Sequence, residues 1–326
     1  MYSSKPYSFL FLAFLFLQSA YSQIAPGQWR EMLPYYVFNK IIPADGKLYC
    51  PSPYAVLVYD VTEQSYSRLS KINGLSEVGI VGMAYSPEKK CFVIGYTSSN
   101  IDILKGNEII NFPEIKNKIG ISDKAINSLS VIGNIAYICC SFGIVLLDLD
   151  RLEIKDTYYI GNGDINYSVY DICLHGQNLY AATGSGVYSA SYENQNLGNY
   201  TNWTKNDSIP MSDSSYSAVK SFGTNLYALK TGTSKTLYVF NGSAWAVSTF
   251  TGTLGIKSID VQNNRLILVS KTGAYLYNQA GELADYHLAH SARGELCRRA
   301  DVVEAEPFER ARRVVHLVLL GAEPLG

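Results

Sequence analysis

The sequence predicts an all-β protein of the β-propeller class, and three observations carry that prediction. The 326 residues include 26 Tyr against 12 Phe and 3 Trp, with 47% hydrophobic and only 17% charged residues. Tyr joins an apolar ring to a polar tip and suits a half-buried pleated surface. A short motif recurs along the chain: a turn with Gly or Asn, a Leu-like residue, then an aromatic. Around each copy lie alternating apolar runs separated by Gly turns, the pattern of short antiparallel strands rather than helices. A repeat of about 43 residues holding about four strands is one propeller blade.

The copies follow in order. They are Asp45-Gly46-Lys47-Leu48-Tyr49, Glu88-Lys89-Lys90-Cys91-Phe92, Gly133-Asn134-Ile135-Ala136-Tyr137 and Gly176-Gln177-Asn178-Leu179-Tyr180, then Gly223-Thr224-Asn225-Leu226-Tyr227 and Asn263-Asn264-Arg265-Leu266-Ile267. Their last residues serve as anchors, spaced by 43, 45, 43, 47 and 40 residues. An apolar strand precedes each anchor, as at 125–131 and 169–174. A Gly turn and a second strand follow it, as at 143–148, 186–188 and 273–277. Trp29, Trp203 and Trp245 stand 20, 24 and 22 residues before the anchors Tyr49, Tyr227 and Ile267. This offset puts each in the outermost strand of the preceding blade. No blade precedes Trp29, so the strand at 29–33 is expected to pair with the last blade, joining the chain ends and covering open edges. Six copies are visible, and a seventh would start near Leu288. The expected architecture is a truncated seven-bladed ring, with a closed six-bladed ring as the alternative.

The two ends of the chain read differently from the repeats. Lys5, the apolar run 9–17 and the small residues of Ala20-Tyr21-Ser22 form a secretory signal over residues 1–22. Nine apolar residues are too few for a membrane span, which needs about 20, and no other segment is long enough to be a transmembrane helix. No Cys follows the cleavage point, which argues against a lipid anchor. The propeller is then expected over 23–287. The last 39 residues, 288–326, hold six of the ten Arg, none of the 17 Lys, and no Tyr, Ile or Asn. They read as a frameshift or a junction with foreign sequence. The alternative is a basic amphipathic helix at 304–320 that meets a partner or a membrane surface.

The chemistry expected of the repeats is binding. A net charge of −1 gives no electrostatic footprint for nucleic acid. No His pair or Cys/His spacing fits a metal, no nucleophile elbow is present, and Gly184-Ser185-Gly186 is a strand turn rather than a phosphate loop. Catalytic, cofactor-binding and metal residues are therefore expected to be none, and no ligand-binding residue is assigned. His175 reads as an exposed loop residue. Cys50, Cys91, Cys139, Cys140 and Cys173 fall at unlike places in the repeat and read as buried free thiols. Asp207-Ser208-Ile209 resembles a three-residue bacterial O-glycosylation signal.

Several stretches together resemble one family. Residues 68–76, ending Asn73-Gly74-Leu75-Ser76, resemble the repeat of two-component-regulator propellers. Together with Trp29-Arg30-Glu31-Met32-Leu33-Pro34-Tyr35, Asn100-Ile101-Asp102-Ile103-Leu104, residues 142–148 and Lys155-Asp156-Thr157-Tyr158-Tyr159-Ile160-Gly161, they resemble the N-terminal propeller of the PorZ family of the bacterial type IX secretion system. The resemblance implies an exported, non-enzymatic protein of the periplasm or outer-membrane cell surface. It implies partnership with the sortase and other secretion components, and binding of anionic lipopolysaccharide, to which cargo is attached. It also implies a second propeller and a sorting domain in such proteins, which this sequence does not include. An extracytoplasmic sensor propeller of a two-component system is the alternative function.

Overall fold

Each of the six repeats folds into its own four-stranded antiparallel sheet. The computed structural model describes residues 40–233, 235–250, 255–270 and 273–288. Blade 1 holds β1 (Ile42–Ala44), β2 (Lys47–Pro51), β3 (Ala55–Asp60) and β4 (Ser65–Ser70). Blade 2 holds β5 (Ile80–Ser86), β6 (Cys91–Tyr96), β7 (Ile101–Lys105) and β8 (Glu108–Phe112). Blade 3 holds β9 (Ile126–Ile132), β10 (Ile135–Cys140), β11 (Gly143–Asp148) and β12 (Glu153–Tyr158). Blade 4 holds β13 (Val169–His175), β14 (Asn178–Thr183), β15 (Gly186–Ser191) and β16 (Thr204–Lys205). Blade 5 holds β17 (Tyr216–Phe222), β18 (Asn225–Lys230), β19 (Thr236–Phe240) and β20 (Trp245–Val247). Blade 6 holds β21 (Ile256–Gln262), β22 (Arg265–Ser270), β23 (Gly273–Tyr277) and β24 (Leu283–Leu288). Neighbouring strands in each sheet follow chain order, so every link is a hairpin. The expected signal segment, the Trp29 strand and residues 289–326, where a seventh unit would continue, lie outside the described residues.

The repeated Gly or Asn has a local cause. It sits in the two-residue turn between the first and second strands, where the backbone takes positive φ. Asp45 and Gly46 have φ of 48° and 74°, and Asn263 and Asn264 have 45° and 57°. These are the residue types that match such a hairpin to the twist of its strands.

The anchors also have a common place. Tyr137, Tyr180, Tyr227 and Ile267 pair with Ser130, Cys173, Lys220 and Asp260 on the first strands of their sheets. Register corrects one copy. Phe92 pairs with Tyr85, and it is Val93, opposite Ala84, that stands where the other anchors stand. The first strands of blades 2 to 6 share a further feature: each has a register shift that leaves its second residue unpaired, as at Val81, Asn127 and Tyr170. A bulge of this kind bends a strand and increases its twist.

The core is divided among the seams between blades. Successive side chains of a strand point to opposite faces, so each middle strand feeds two seams. On β10, Ala136, Ile138 and Cys140 pack against blade 2, while Ile135, Tyr137 and Cys139 pack against blade 4. Tyr180 and Ala182 meet Leu226 and Ala228 between blades 4 and 5. Leu229 meets Leu266 and Leu268 between blades 5 and 6. Burial on both faces explains why β6 and β10 read as unbroken apolar runs. Trp203 directly precedes β16 and Trp245 opens β20, the outermost strands of blades 4 and 5, as their spacing predicts. Trp203 donates its indole N–H to the Leu197 carbonyl at 3.0 Å.

Candidate functional site

The first strands of all six sheets line one central channel of about 530 Å³. Its wall is uneven. Blades 2 and 3 contribute Met83, Ala84, Leu129 and Val131, whereas blades 5 and 6 contribute Lys220, Ser221, Asp260 and Gln262. Lys40, just before β1, completes the charged side.

The charges form an alternating chain across three seams. The Lys220 ammonium bridges both oxygens of Asp171, at 2.6 and 2.8 Å. The Val219 amide donates to the same carboxylate at 3.1 Å. Asp171 is buried at 4% exposure, so these bonds replace the water it loses. Burial alone would lower the Lys220 pKa, but Asp171 and then Asp260 outweigh it and hold the ammonium above its ordinary value. Asp260 in turn meets Lys40 at 3.2 Å, linking blade 6 to the residue that leads into blade 1. Burial acts to raise the Asp260 carboxyl, yet Lys40 and Lys220 bring it below the usual range. The chain Asp171, Lys220, Asp260, Lys40 thus stitches blades 4, 5, 6 and 1 by opposite charge.

A second buried carboxylate explains a motif. Asn73 accepts from the Ser70 amide and donates to the Arg68 carbonyl, both at 2.5 Å, closing the turn that carries Asn73-Gly74-Leu75-Ser76. Leu75 then enters the seam between blades 1 and 2, and the Ser76 amide donates to Asp102 at 2.8 Å. Asp102, fully buried, also accepts from the Tyr96 hydroxyl at 2.5 Å and the Asn111 amide at 2.9 Å. The motif is a plug that fills a seam and satisfies a buried charge.

Comparison with known proteins agrees with this architecture. Residues 48–204 match the N-terminal β-propeller domain of PorZ, a type IX secretion system protein. The propeller is PorZ-like. The structure of PorZ from Porphyromonas gingivalis, described as an essential bacterial surface component of that system, superposes with a TM-score of 0.66 at 22% identity. It covers 79% of this chain, and the chain spans 33% of that PorZ. The β-propeller domain of Cps50 (Swd1) from Myceliophteria thermophila aligns at a TM-score of 0.53 and 8% identity, over 75% of this chain and 83% of its own. Hydrazine synthase from Kuenenia stuttgartiensis aligns at 0.53 and 12% identity, over 72% and 74%. These likenesses are of fold. No curated protein sequence matches the chain significantly.

In this PorZ-like propeller the structure moves one sequence expectation. His175 ends β13 half-buried rather than exposed in a loop. Its Nδ1 lies 2.8 Å from the Ser221 hydroxyl across the seam to blade 5. Its ring stands edge-on to Tyr180, and burial lowers its pKa. Ser208 of the Asp207-Ser208-Ile209 triplet is exposed in a turn after β16, with Ile209 buried beneath it. Among the described residues no cluster of three or more His, Cys, Asp or Glu could hold a metal, and no helix is long and apolar enough to cross a membrane.

The five described cysteines are free, four of them buried. Cys139 and Cys140 face opposite seams. Burial pushes the Cys50, Cys139 and Cys173 thiols up to about 12. The thiolate is the reactive form, so a thiol reagent at pH 8 should leave these cysteines unmodified in the native protein and label all five in denaturant. Rapid native labelling of Cys139 or Cys140 would contradict the packed seams.

Two groups at the seams contribute to the acid response, alongside Asp60, Glu77 and Asp150, whose carboxyls are also held below the usual range. His175 has a folded pKa below its unfolded value near 6.5. The unfolded chain therefore takes up more protons, and stability falls as pH drops below about 6.5. Asp260 is also depressed, so its contribution is complete above the unfolded value near 4 and is lost as pH falls through the folded value. The melting temperature should decline in two stages, one starting near pH 6.5 and one near pH 4. His175→Asn should remove the first, and a curve unchanged by that substitution would contradict the assignment.

Proposed function

We propose that the chain is a non-catalytic binding module of the type IX secretion machinery, working in the periplasm or at the outer-membrane surface. It assists cargo sorting and attachment to anionic lipopolysaccharide by binding glycan and partner proteins, the sortase among them. The observation that carries this reading is the match of residues 48–204, the first four blades but for their opening strand, to the PorZ propeller family. The standing of the Porphyromonas gingivalis PorZ as a surface component of that system supports it. The channel is consistent with a binding scaffold: its charges are spent on one another across the seams.

The test is binding of the purified chain to immobilised lipopolysaccharide with and without its anionic glycan. The proposal expects binding to the first and little to the second, weakening with salt as exposed charges are screened. Equal binding to both, or none to either, would overturn it.

A further inference from the structure

A second cavity lies away from the channel, at the turn end of blades 1 and 2. The turn from β1 to β2, the turn from β5 to β6 and the turn after β7 enclose about 400 Å³. One wall is aromatic. Half-buried Tyr49 lines it, with its ring centroid 4.1 Å from that of Phe92, which is itself buried at 4% exposure. Its rim carries Lys89, Lys90 and Lys105.

The rim charges are not all spent. Asp45 accepts from the Tyr85 hydroxyl at 2.9 Å, and Lys89 is held by Asp150 of blade 3 at 2.5 Å. Among the described residues Lys90 and Lys105 enter no ion pair, and both are exposed. Glu88, on the same turn, adds to the field on Lys89. Lys105 acts on Asp150 through space, and the exposed ammonium groups of Lys90 and Lys105 stand beside Tyr49 with Asp45 and Glu88 on the same rim. Five of the eight lining residues are charged, so the site is a polar groove with Tyr49 as its aromatic wall.

We propose that this cavity binds an anionic saccharide, its ring face on Tyr49 and its acidic group between Lys90 and Lys105. The Tyr49 ring favours a flat C–H face over a bare ion, and the two lysines favour a charged sugar over a neutral one. The assignment rests on the reading of the chain as a glycan-binding module and names the place where that binding occurs.

The experiment uses the full chain against immobilised phosphomannan, alginate and neutral mannan, and against anionic lipopolysaccharide. Lys90→Ala with Lys105→Ala is compared with Lys71→Ala with Lys155→Ala, which removes the same charge from exposed positions elsewhere, after melting curves confirm that both fold. Charged hydrogen bonds of ordinary strength predict about a tenfold loss or more for the first pair and little change for the second. Preference for phosphomannan or for alginate tells a phosphate from a carboxylate as the acidic group. Retained lipopolysaccharide binding in the Lys90/Lys105 variant, or equal loss in both variants, overturns the cavity and leaves the binding reading standing. If the wild-type chain holds neither lipopolysaccharide nor either acidic polymer, both readings fall.

Discussion

Lys220→Met should destabilise the protein by roughly 3–5 kcal/mol, measured by denaturant unfolding. The substitution keeps the length of the side chain and removes its charge. Asp171 is then left as a buried carboxylate with only the Val219 amide for compensation. An unpaired charge in such a place costs far more than the intact pair contributes. The double variant Asp171→Leu with Lys220→Met should therefore recover much of the loss. A loss below about 1 kcal/mol for Lys220→Met alone would mean that the carboxylate finds water in the channel, and the chain of charges would not hold the seams as described.

Gly143→Ala should cost roughly 2–4 kcal/mol, from a strained backbone and a collision together. Gly143 opens β11 at a φ of 143°, and an added Cβ would strike the Tyr158 carbonyl oxygen, a backbone atom that cannot swing aside. Gly133→Ala is the comparison. It shares a positive φ of 60° but has open space around it, so it should lose only about 1 kcal/mol. Equal losses at the two positions would show that β12 moves freely away from β11.

How far the sequence reveals the fold depends on which contacts are local. The hairpin turns and the anchors Tyr49, Tyr137, Tyr180 and Tyr227 are legible because turn chemistry and alternation act within a few residues. The anchor at Phe92 is misplaced by one because β6 is buried on both faces, and an unbroken apolar run carries no phase. The channel chain is hidden for a different reason. Asp171 and Lys220 meet across 49 residues of sequence, and no local pattern announces the pairing. The available signal is a charge inside a first strand, alone for Lys220 in Tyr216–Phe222 and accompanied by Lys257 for Asp260 in Ile256–Gln262. His175 reads as a loop residue because Gly176 follows it, yet its partner Ser221 comes from the next blade. The cavity of Lys90 and Lys105 is likewise assembled from turns of separate hairpins.

Amide hydrogen exchange is the sharpest check on a ring in which one sheet is repeated six times around a channel. Protection follows the local cost of opening, and a second strand is hydrogen-bonded on both sides within its blade. The third strand is flanked in the same way, so protection should peak at the two middle strands of each blade. These are β2 and β3, β6 and β7, β10 and β11, β14 and β15, β18 and β19, and β22 and β23, with the outermost strands exchanging first in every unit. Protection that rises in two broad blocks, as two stacked sheets would give, with no peak in each repeat, would be incompatible with a propeller.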